Sequence, residues 1–405
     1  MRSSVQRRPV AGKHPDFFPI SILESTDMTK NSISSAVIIG AGIFGVSTAV
    51  QLARRGIQVT IVNDGPAANG ASGRSLSWLN SARMRSRAYH DLRMAGIDRY
   101  RTLAARLPDA EWLRFDGGLT WDADDQTNAI AEAFRHEISI GYDAIHLAPT
   151  AVDGATPGVD THRITSQGAI FNPGEGWVDL PSLVSHLLKE FKGLGGKLVT
   201  DRGAASVLIE NGKAVGARTD SGEEFRAGAV LLATGPSVPE MAARDGQRID
   251  DGTPIALLVQ TKPVGHGLRA VLNTPRVAVR PAPGGTLSID ADWAADEGIR
   301  TMADGSYQAD TDVVEALLAE ASKILEGNPK LEVASIGIGR KPIPGDGEPV
   351  VGALKAIPGY YVAFSHSGAT LGLILGELLA HEMAGGAEHP MLAEFRPERF
   401  AGRHA

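Results

Sequence analysis

Gly40-Ala41-Gly42-Ile43-Phe44-Gly45 is a complete G-x-G-x-x-G. Glycines at this spacing are suited to holding a pyrophosphate. Gly40 allows a tight exit from a strand, Gly42 leaves backbone free to approach phosphate, and Gly45 lets the next helix pack closely on that strand. Free N–H groups at the helix start, and the helix dipole, favour the phosphate's negative charge. A residue that hydrogen-bonds ribose is expected about 20 positions on, where Asn63 and Asp64 stand. The chemistry expected of this stretch is dinucleotide binding. The chain has no cysteine, so disulfides, iron–sulfur clusters, thiolate zinc sites and a cysteine nucleophile are excluded. No His/Asp/Glu group has metal-ligand spacing and no serine sits in a nucleophile elbow. A metal site is therefore not expected.

The elements around the turn are those it requires. The apolar run Ala36-Val37-Ile38-Ile39 reads as a buried parallel strand. From Ile43 the period becomes helical through Val46, Ala49, Val50 and Ala53, Gly56 fits a C-cap, and Gln58 to Val62 returns to strand. The small, polar, glycine-rich stretch 65–75 reads as a functional loop in which Arg74, Ser72 and Ser75 are placed to hold a phosphate or a cofactor ring. Arg83 to Arg106 reads as an amphipathic helix, interrupted near Gly96, with its arginines on a solvated face. A capped helix follows Asp179 and Pro181, with a buried stripe at Leu183, Val184, Leu187, Leu188 and Phe191. A strand region at 197–208 and a return at 215–225 flank the hairpin signal Asn211-Gly212. Ala229 to Leu232 is a second buried strand, and its Ala233-Thr234-Gly235 end lets backbone pass close to a ligand. Residues 255–289 are β-rich, 312–325 helical, 336–352 rich in glycine and proline, and 360–364 a strand. Ser365-His366-Ser367-Gly368-Ala369-Thr370 then leads into a last apolar helix, Leu371 to His381.

At 405 residues the chain is long enough for two domains. With 43% hydrophobic and 21% charged residues its composition is that of a globular protein. A net charge of -7 argues against a nucleic-acid partner. The longest uncharged run, Ile33 to Ala53, contains the whole glycine turn with Ser47, Thr48 and Gln51, so it reads as strand plus helix and not as a transmembrane segment. Residues 1–33 lack the apolar core of a signal peptide and read as a mobile extension, with Met28 a candidate start. A cytoplasmic location is the default expectation.

Four segments occur in a telling order: the turn at 40–45; the helix and hairpin leading to Ala233-Thr234-Gly235; Gly339-Arg340-Lys341-Pro342 through Pro349; and His366-Ser367-Gly368 before the final helix. Together they resemble the D-amino-acid oxidase-like family of FAD-dependent oxidoreductases, over roughly residues 36–386. The resemblance implies an α/β chain with a Rossmann-like, discontinuous FAD-binding domain at 34–88, 160–245 and 330–395. It implies an α+β substrate domain with a mostly antiparallel sheet at 89–159 and 246–329, and leaves 396–405 as a tail.

The resemblance also implies roles. Gly40, Gly42, Ile43, Phe44 and Gly45 hold the FAD pyrophosphate. Asn63 falls where the family usually has glutamate for the ribose, with Asp64 the alternative. Ser72, Arg74 and Ser75 pass the flavin, Val207 lies at the adenine, and Thr234 and Gly235 give a second FAD contact. Ser367, Gly368, Ala369, Thr370 and Leu371 start the helix under the isoalloxazine. Arg340 is the expected anchor for a substrate carboxylate, a role suited to a planar guanidinium. His366 is expected as a flavin contact or as the group that keeps a substrate amine neutral, and Arg280 is a further catalytic candidate. Tyr89-His90 is expected mainly to pack. The implied reaction is oxidation of a C–N bond in an amino acid or amine by hydride transfer to flavin N5. FAD is expected to be non-covalent, and the electron acceptor is O2 or another carrier. A 2-hydroxyacid dehydrogenase, or a flavin-binding subunit of a larger complex, stays open as an alternative, as does the oligomeric state.

Overall fold

A computed structural model describes residues 33–401. The expected N-terminal extension, Met28 included, lies outside the described residues except for its last position. Six strands form the first sheet, in the order Val350–Ala353, Tyr360–Phe364, Ala229–Leu232, Ser35–Ile39, Gln58–Val62, Lys197–Val199. All neighbours are parallel except the first pair. The central strand is buried on both faces, which is why its sequence does not alternate. Ala36 and Ile38 pack with the helices Ile43–Arg54, Leu180–Gly193 and Gly368–Met383. Val37 and Ile39 pack against a three-stranded antiparallel sheet, Ala205–Glu210, Lys213–Thr219 and Glu224–Arg226.

The second large sheet has eight strands, in the order Val333–Arg340, Ile255–Thr261, Thr286–Asp290, Ala278–Ala282, Val271–Asn273, Gly118–Thr120, Ala169–Asn172, Ile145–Leu147. Its pairs are antiparallel except Val271–Asn273 with Gly118–Thr120. Leu257, Val259 and Ile289 turn one face into a core with Val314, Leu317 and Leu318 of helix Thr311–Lys323. The opposite face carries Ala256, Leu258 and their cross-strand partners, and it contributes to the wall of the main cavity.

Several expectations are corrected. Residues 169–172 and 333–340, assigned from sequence to the FAD-binding part, pair in the eight-stranded sheet. Ile336-Gly337-Ile338-Gly339, the start of the glycine- and proline-rich segment, is strand; alternating glycines on one face make room for a side chain lying across it. The helix Arg87–Arg106 is continuous through Gly96, which touches the Thr370 carbonyl where a Cβ would overlap it. Its arginines are not all solvated, since Arg93 is 3% exposed. Residues 396–401 pack against the fold instead of trailing from it. Arg396 forms a bidentate ion pair with Glu382 at 2.7 and 2.8 Å, and Phe400 is buried. Among the described residues no helix is long and apolar enough to cross a membrane.

Candidate active site

A cavity of about 770 Å³ opens at the carboxyl ends of the glycine-turn strands, a size suited to a large organic ligand. The turn that forms its floor depends on absent side chains. Gly40 has φ +108, and a Cβ there would overlap the Ala233 carbonyl. The two motifs that sequence placed about 190 residues apart thus touch through backbone. A Cβ at Gly45 would overlap the Gly40 carbonyl, so Gly45 serves helix–strand contact and does not line the cavity. Gly42, Ile43 and Phe44 do line it. Ser72 Oγ accepts the Ile43 N–H at 3.1 Å, tying the 65–75 loop to the helix start.

Asn63 lines the cavity, but its amide works on the turn itself. Its Oδ1 accepts the Ala41 N–H at 2.8 Å, and its Nδ2 donates to the carbonyls of Gly65 at 2.9 Å and Pro66 at 3.1 Å. The neighbouring Asp64 carboxylate also lines the cavity and has no hydrogen-bond or ion-pair partner among the described residues. Of the two, Asp64 is the group free to accept ribose hydroxyls. Glycines that leave room for phosphate beside a helix N-terminus, with a free carboxylate at the end of the second strand, fit an FAD pyrophosphate and ribose. Thr234 and Gly235 line the same space, as do Ser75 and Arg74. Arg74 runs over Gly337 and Gly339, with Cβ positions there only 3.1 and 3.2 Å from its side chain.

The start of helix Gly368–Met383 forms another wall through Ser367, Gly368, Ala369 and Thr370. Leu371 is fully buried and its N–H is bound to the Ser367 carbonyl, so it does not reach the cavity. Beneath this helix start lies a polar group that sequence did not single out. Arg93 donates to Ser367 Oγ, to the Asn80 carbonyl at 2.8 Å and to Asn80 Oδ1 at 2.9 Å. Tyr89 Oη donates to Ser367 Oγ at 2.6 Å, so Tyr89 does reach the site, while His90 packs against Tyr142 and Ser81. A buried guanidinium beside a helix N-terminus adds positive charge to that of the helix dipole. Arg93 shares the buried face of its helix with Tyr89, Ile97 and Tyr100. That spacing was the signal available in sequence.

The remaining wall comes from three strand ends of the eight-stranded sheet: Asn273–Ala278, Asp290–Trp293 and Gly339–Pro342. Arg340 is there, its Nη2 donating to Asp251 Oδ2 at 3.2 Å. Lys341 lies 3.5 Å from Asp292. Arg276 stacks on Trp293 at 4.3 Å. Burial lifts the Asp290 carboxyl to about 6, with Lys341 opposing. His366 presents its surface to the cavity while protein surrounds it on its other sides. Desolvation, then the charges of Lys341, Arg93 and Arg85, drive its pKa down to about 3, so the imidazole is neutral at pH 7.

Besides Gly45 and Leu371, two further expected residues are not in the cavity. Arg280 is 2% exposed and donates to the Pro281 carbonyl at 2.9 Å and to Ser288 Oγ at 3.0 Å, with its guanidinium over Trp177 at 5.0 Å. Desolvation lowers its pKa to about 10. Its strand carries it into the interior, against Trp177 and 3.9 Å from Asp179, and away from the strand end. Val207 packs against the core beneath the three-stranded sheet, and Ala204 and Ala205 line the cavity in its place.

Known proteins share this fold. Glycine oxidase of Pseudomonas aeruginosa is 28% identical over 366 residues, covering 86% of this chain and 94% of that one. The fold matches L-amino acid deaminase from Proteus myxofaciens, determined with anthranilate, with a TM-score of 0.77 at 19% identity, over 92% of this chain and 94% of that one. It matches glycine oxidase from Geobacillus kaustophilus with a TM-score of 0.76 at 21% identity, over 93% of this chain and all of that one. The glycine cradle, the free acid beside it and the start of the last helix lie within residues 35–382, which match the model of the FAD dependent oxidoreductase family, DAO. The chain belongs to this family of FAD-dependent oxidoreductases.

Proposed function

We propose that the protein oxidises the C–N bond of an amine that also carries a carboxylate, an amino acid or an N-substituted one, to the imine. When bound, FAD supplies the two-electron acceptor for the hydride leaving the carbon beside nitrogen. The observation that carries this reading is the wall formed by Arg340, Lys341 and Arg276, which shares one cavity with the glycine cradle and the start of helix Gly368–Met383. Arg340 is the group for the carboxylate: it stands at a strand end, and its link to Asp251 is a single hydrogen bond at 3.2 Å that leaves other N–H donors free. Neutral His366 orients the substrate by hydrogen bonding without repelling a cationic group nearby. The N–H groups at the start of the last helix, with Arg93 behind them, stabilise negative charge developing on the bound cofactor's side of the cavity. With no cysteine in the chain, a thioether to the flavin is excluded, and we take the cofactor to be held non-covalently.

The test is anaerobic bleaching of the purified flavoprotein by glycine, D-alanine, L-alanine and N-methylglycine, set against glycolate and lactate. Bleaching by at least one amine and by neither hydroxyacid is expected; bleaching by the hydroxyacids alone overturns the reading. Arg340→Ala is expected to raise KM for the active amine by about 10- to 100-fold, the scale of one charge-assisted contact. An unchanged KM removes Arg340 from this role.

A further inference from the structure

The cavity holds a carboxylate that no role described so far uses. Asp290 ends the strand Thr286–Asp290 and lines the cavity. It stands opposite Leu258 on one neighbouring strand and opposite Ala278 on the other. Directly opposed residues share a face of the sheet, and Ala278 also lines the cavity. The carboxylate therefore projects between an apolar and a small side chain. It makes no hydrogen bond and no ion pair among the described residues. A carboxylate so placed lacks the partners that buried polar groups ordinarily have.

The other acid–base groups near it are already engaged or unsuited. Asp251 is bonded to Arg340, and Asp292 is solvent-exposed and lies 3.5 Å from Lys341. Asp64 ends the second strand of the other sheet, beside the glycine turn. His366 is too weak a base to hold a proton at neutral pH. Lys341 acts electrostatically on both His366 and Asp290, which places the three in one part of the cavity.

We propose that the Asp290 carboxylate accepts the proton of the substrate ammonium, so that the amine is neutral when hydride leaves. This rests on the reading of an amine substrate given above. In the step an N–H bond of R–NH3⁺ breaks and an O–H bond forms on Asp290, giving R–NH2 and a carboxylic acid. No electrons are transferred in it. The exchange turns a charged pair into a neutral pair, the direction that a desolvated cavity favours. The charged groups acting on Asp290 are Lys341 and Arg280, which favour its anion, and Asp292, which opposes it. Burial is the largest influence and brings the carboxyl to about 6, near the pH at which a proton acceptor is most effective.

The experiment compares Asp290→Asn and Asp290→Glu with the wild-type holoenzyme at equal flavin content. The substrate is whichever amine bleaches the wild type fastest, and acetate serves as a competing carboxylate without an amine. With Asp290→Asn, kcat/KM at pH 7 is expected to fall by at least about 100-fold, the scale of a lost general base. The acidic limb of the kcat/KM profile should move upward towards the pKa of the free amine. Acetate inhibition should stay within about twofold, and Asp290→Glu should restore part of the rate. A fall of threefold or less with an unmoved profile overturns the proposal, as does loss of flavin from both variants, which marks Asp290 as structural. If no amine bleaches the wild type, the amine reading fails first and this proposal falls with it. If an amine bleaches the wild type and Asp290→Asn performs equally, only this proposal fails.

Discussion

Replacing Glu175 by glutamine should remove a pH dependence of stability near the cavity wall and reverse the order of stability of the two proteins between pH 5 and pH 9. Glu175 is fully buried. Its Oε2 accepts the Trp78 indole N–H at 2.7 Å, and its Oε1 accepts the Tyr142 hydroxyl, which itself accepts the Ser81 N–H at 2.9 Å. Gly118 leaves the space the carboxyl occupies, since a Cβ there would overlap Oε2. Desolvation, assisted by nearby Glu137, lifts the carboxyl from 4.5 to about 8, against the hydrogen bonds and Arg93. A pKa raised this far corresponds to about 5 kcal/mol between the charged and neutral forms. The folded protein holds this proton more firmly than the unfolded chain does. The stability it supplies is therefore complete below 4.5 and is lost as pH rises through about 8. Glutamine keeps an acceptor for Trp78 but cannot ionise, at the loss of about 1 kcal/mol for one imperfect hydrogen bond. In urea denaturation of the holoenzymes, Glu175→Gln should be about 1 kcal/mol less stable than wild type at pH 5 and more stable by up to about 4 kcal/mol at pH 9. A difference between the two proteins that stays constant from pH 5 to pH 9 refutes the reasoning.

Other outcomes follow from the same geometry. Gly45→Ala places a Cβ into the Gly40 carbonyl and 3.1 Å from Ile38 Cγ2; the protein should purify without flavin absorbance, and a full flavin complement would contradict the cradle. Arg93→Met leaves the Asn80 carbonyl and Oδ1 without this donor, while Ser367 Oγ keeps Tyr89, so about 1–3 kcal/mol of stability for each unpaired Asn80 group should be lost in thermal melting. Asn63→Ala frees the Ala41 N–H and should weaken FAD binding about tenfold or more in equilibrium titration. An unchanged FAD Kd would show that the turn holds its shape without that bond.

The cofactor half of the molecule was legible because backbone geometry dictates residue type there. Only glycine leaves room where Gly40 meets Ala233 and where Gly45 meets Gly40, so the motif reports its own three-dimensional context. Buried parallel strands read as continuous apolar runs, and Ala36–Ile39 and Ala229–Leu232 pair in register as two such runs should. Asn63 was legible as a position but not as a role. Sequence placed it at the ribose, whereas its side chain closes a local network on Ala41, Gly65 and Pro66 that only coordinates reveal. Arg93 was missed for a different reason. Arginine on a helix is ordinarily solvated, and this one is buried only because Ser367 and Asn80 arrive from distant parts of the chain to accept its hydrogen bonds.

The substrate half was opaque because no local rule fixes it. Its residues come from strand ends near 276, 290 and 340, brought together by antiparallel register and not by spacing along the chain. Shifting a strand by one position would turn Asp290 from the cavity into the apolar core beside Ile289. Arg280 makes the same point in reverse: opposite Ser288, two residues from Asp290 along that strand, it is carried from the strand end to the interior. The side chains of this wall thus depend on which strand ends the register brings together. The glycine turn, by contrast, is fixed by close backbone contacts that only glycine permits. A substitution at a strand end can therefore reshape this wall of the cavity while the turn stays as it is.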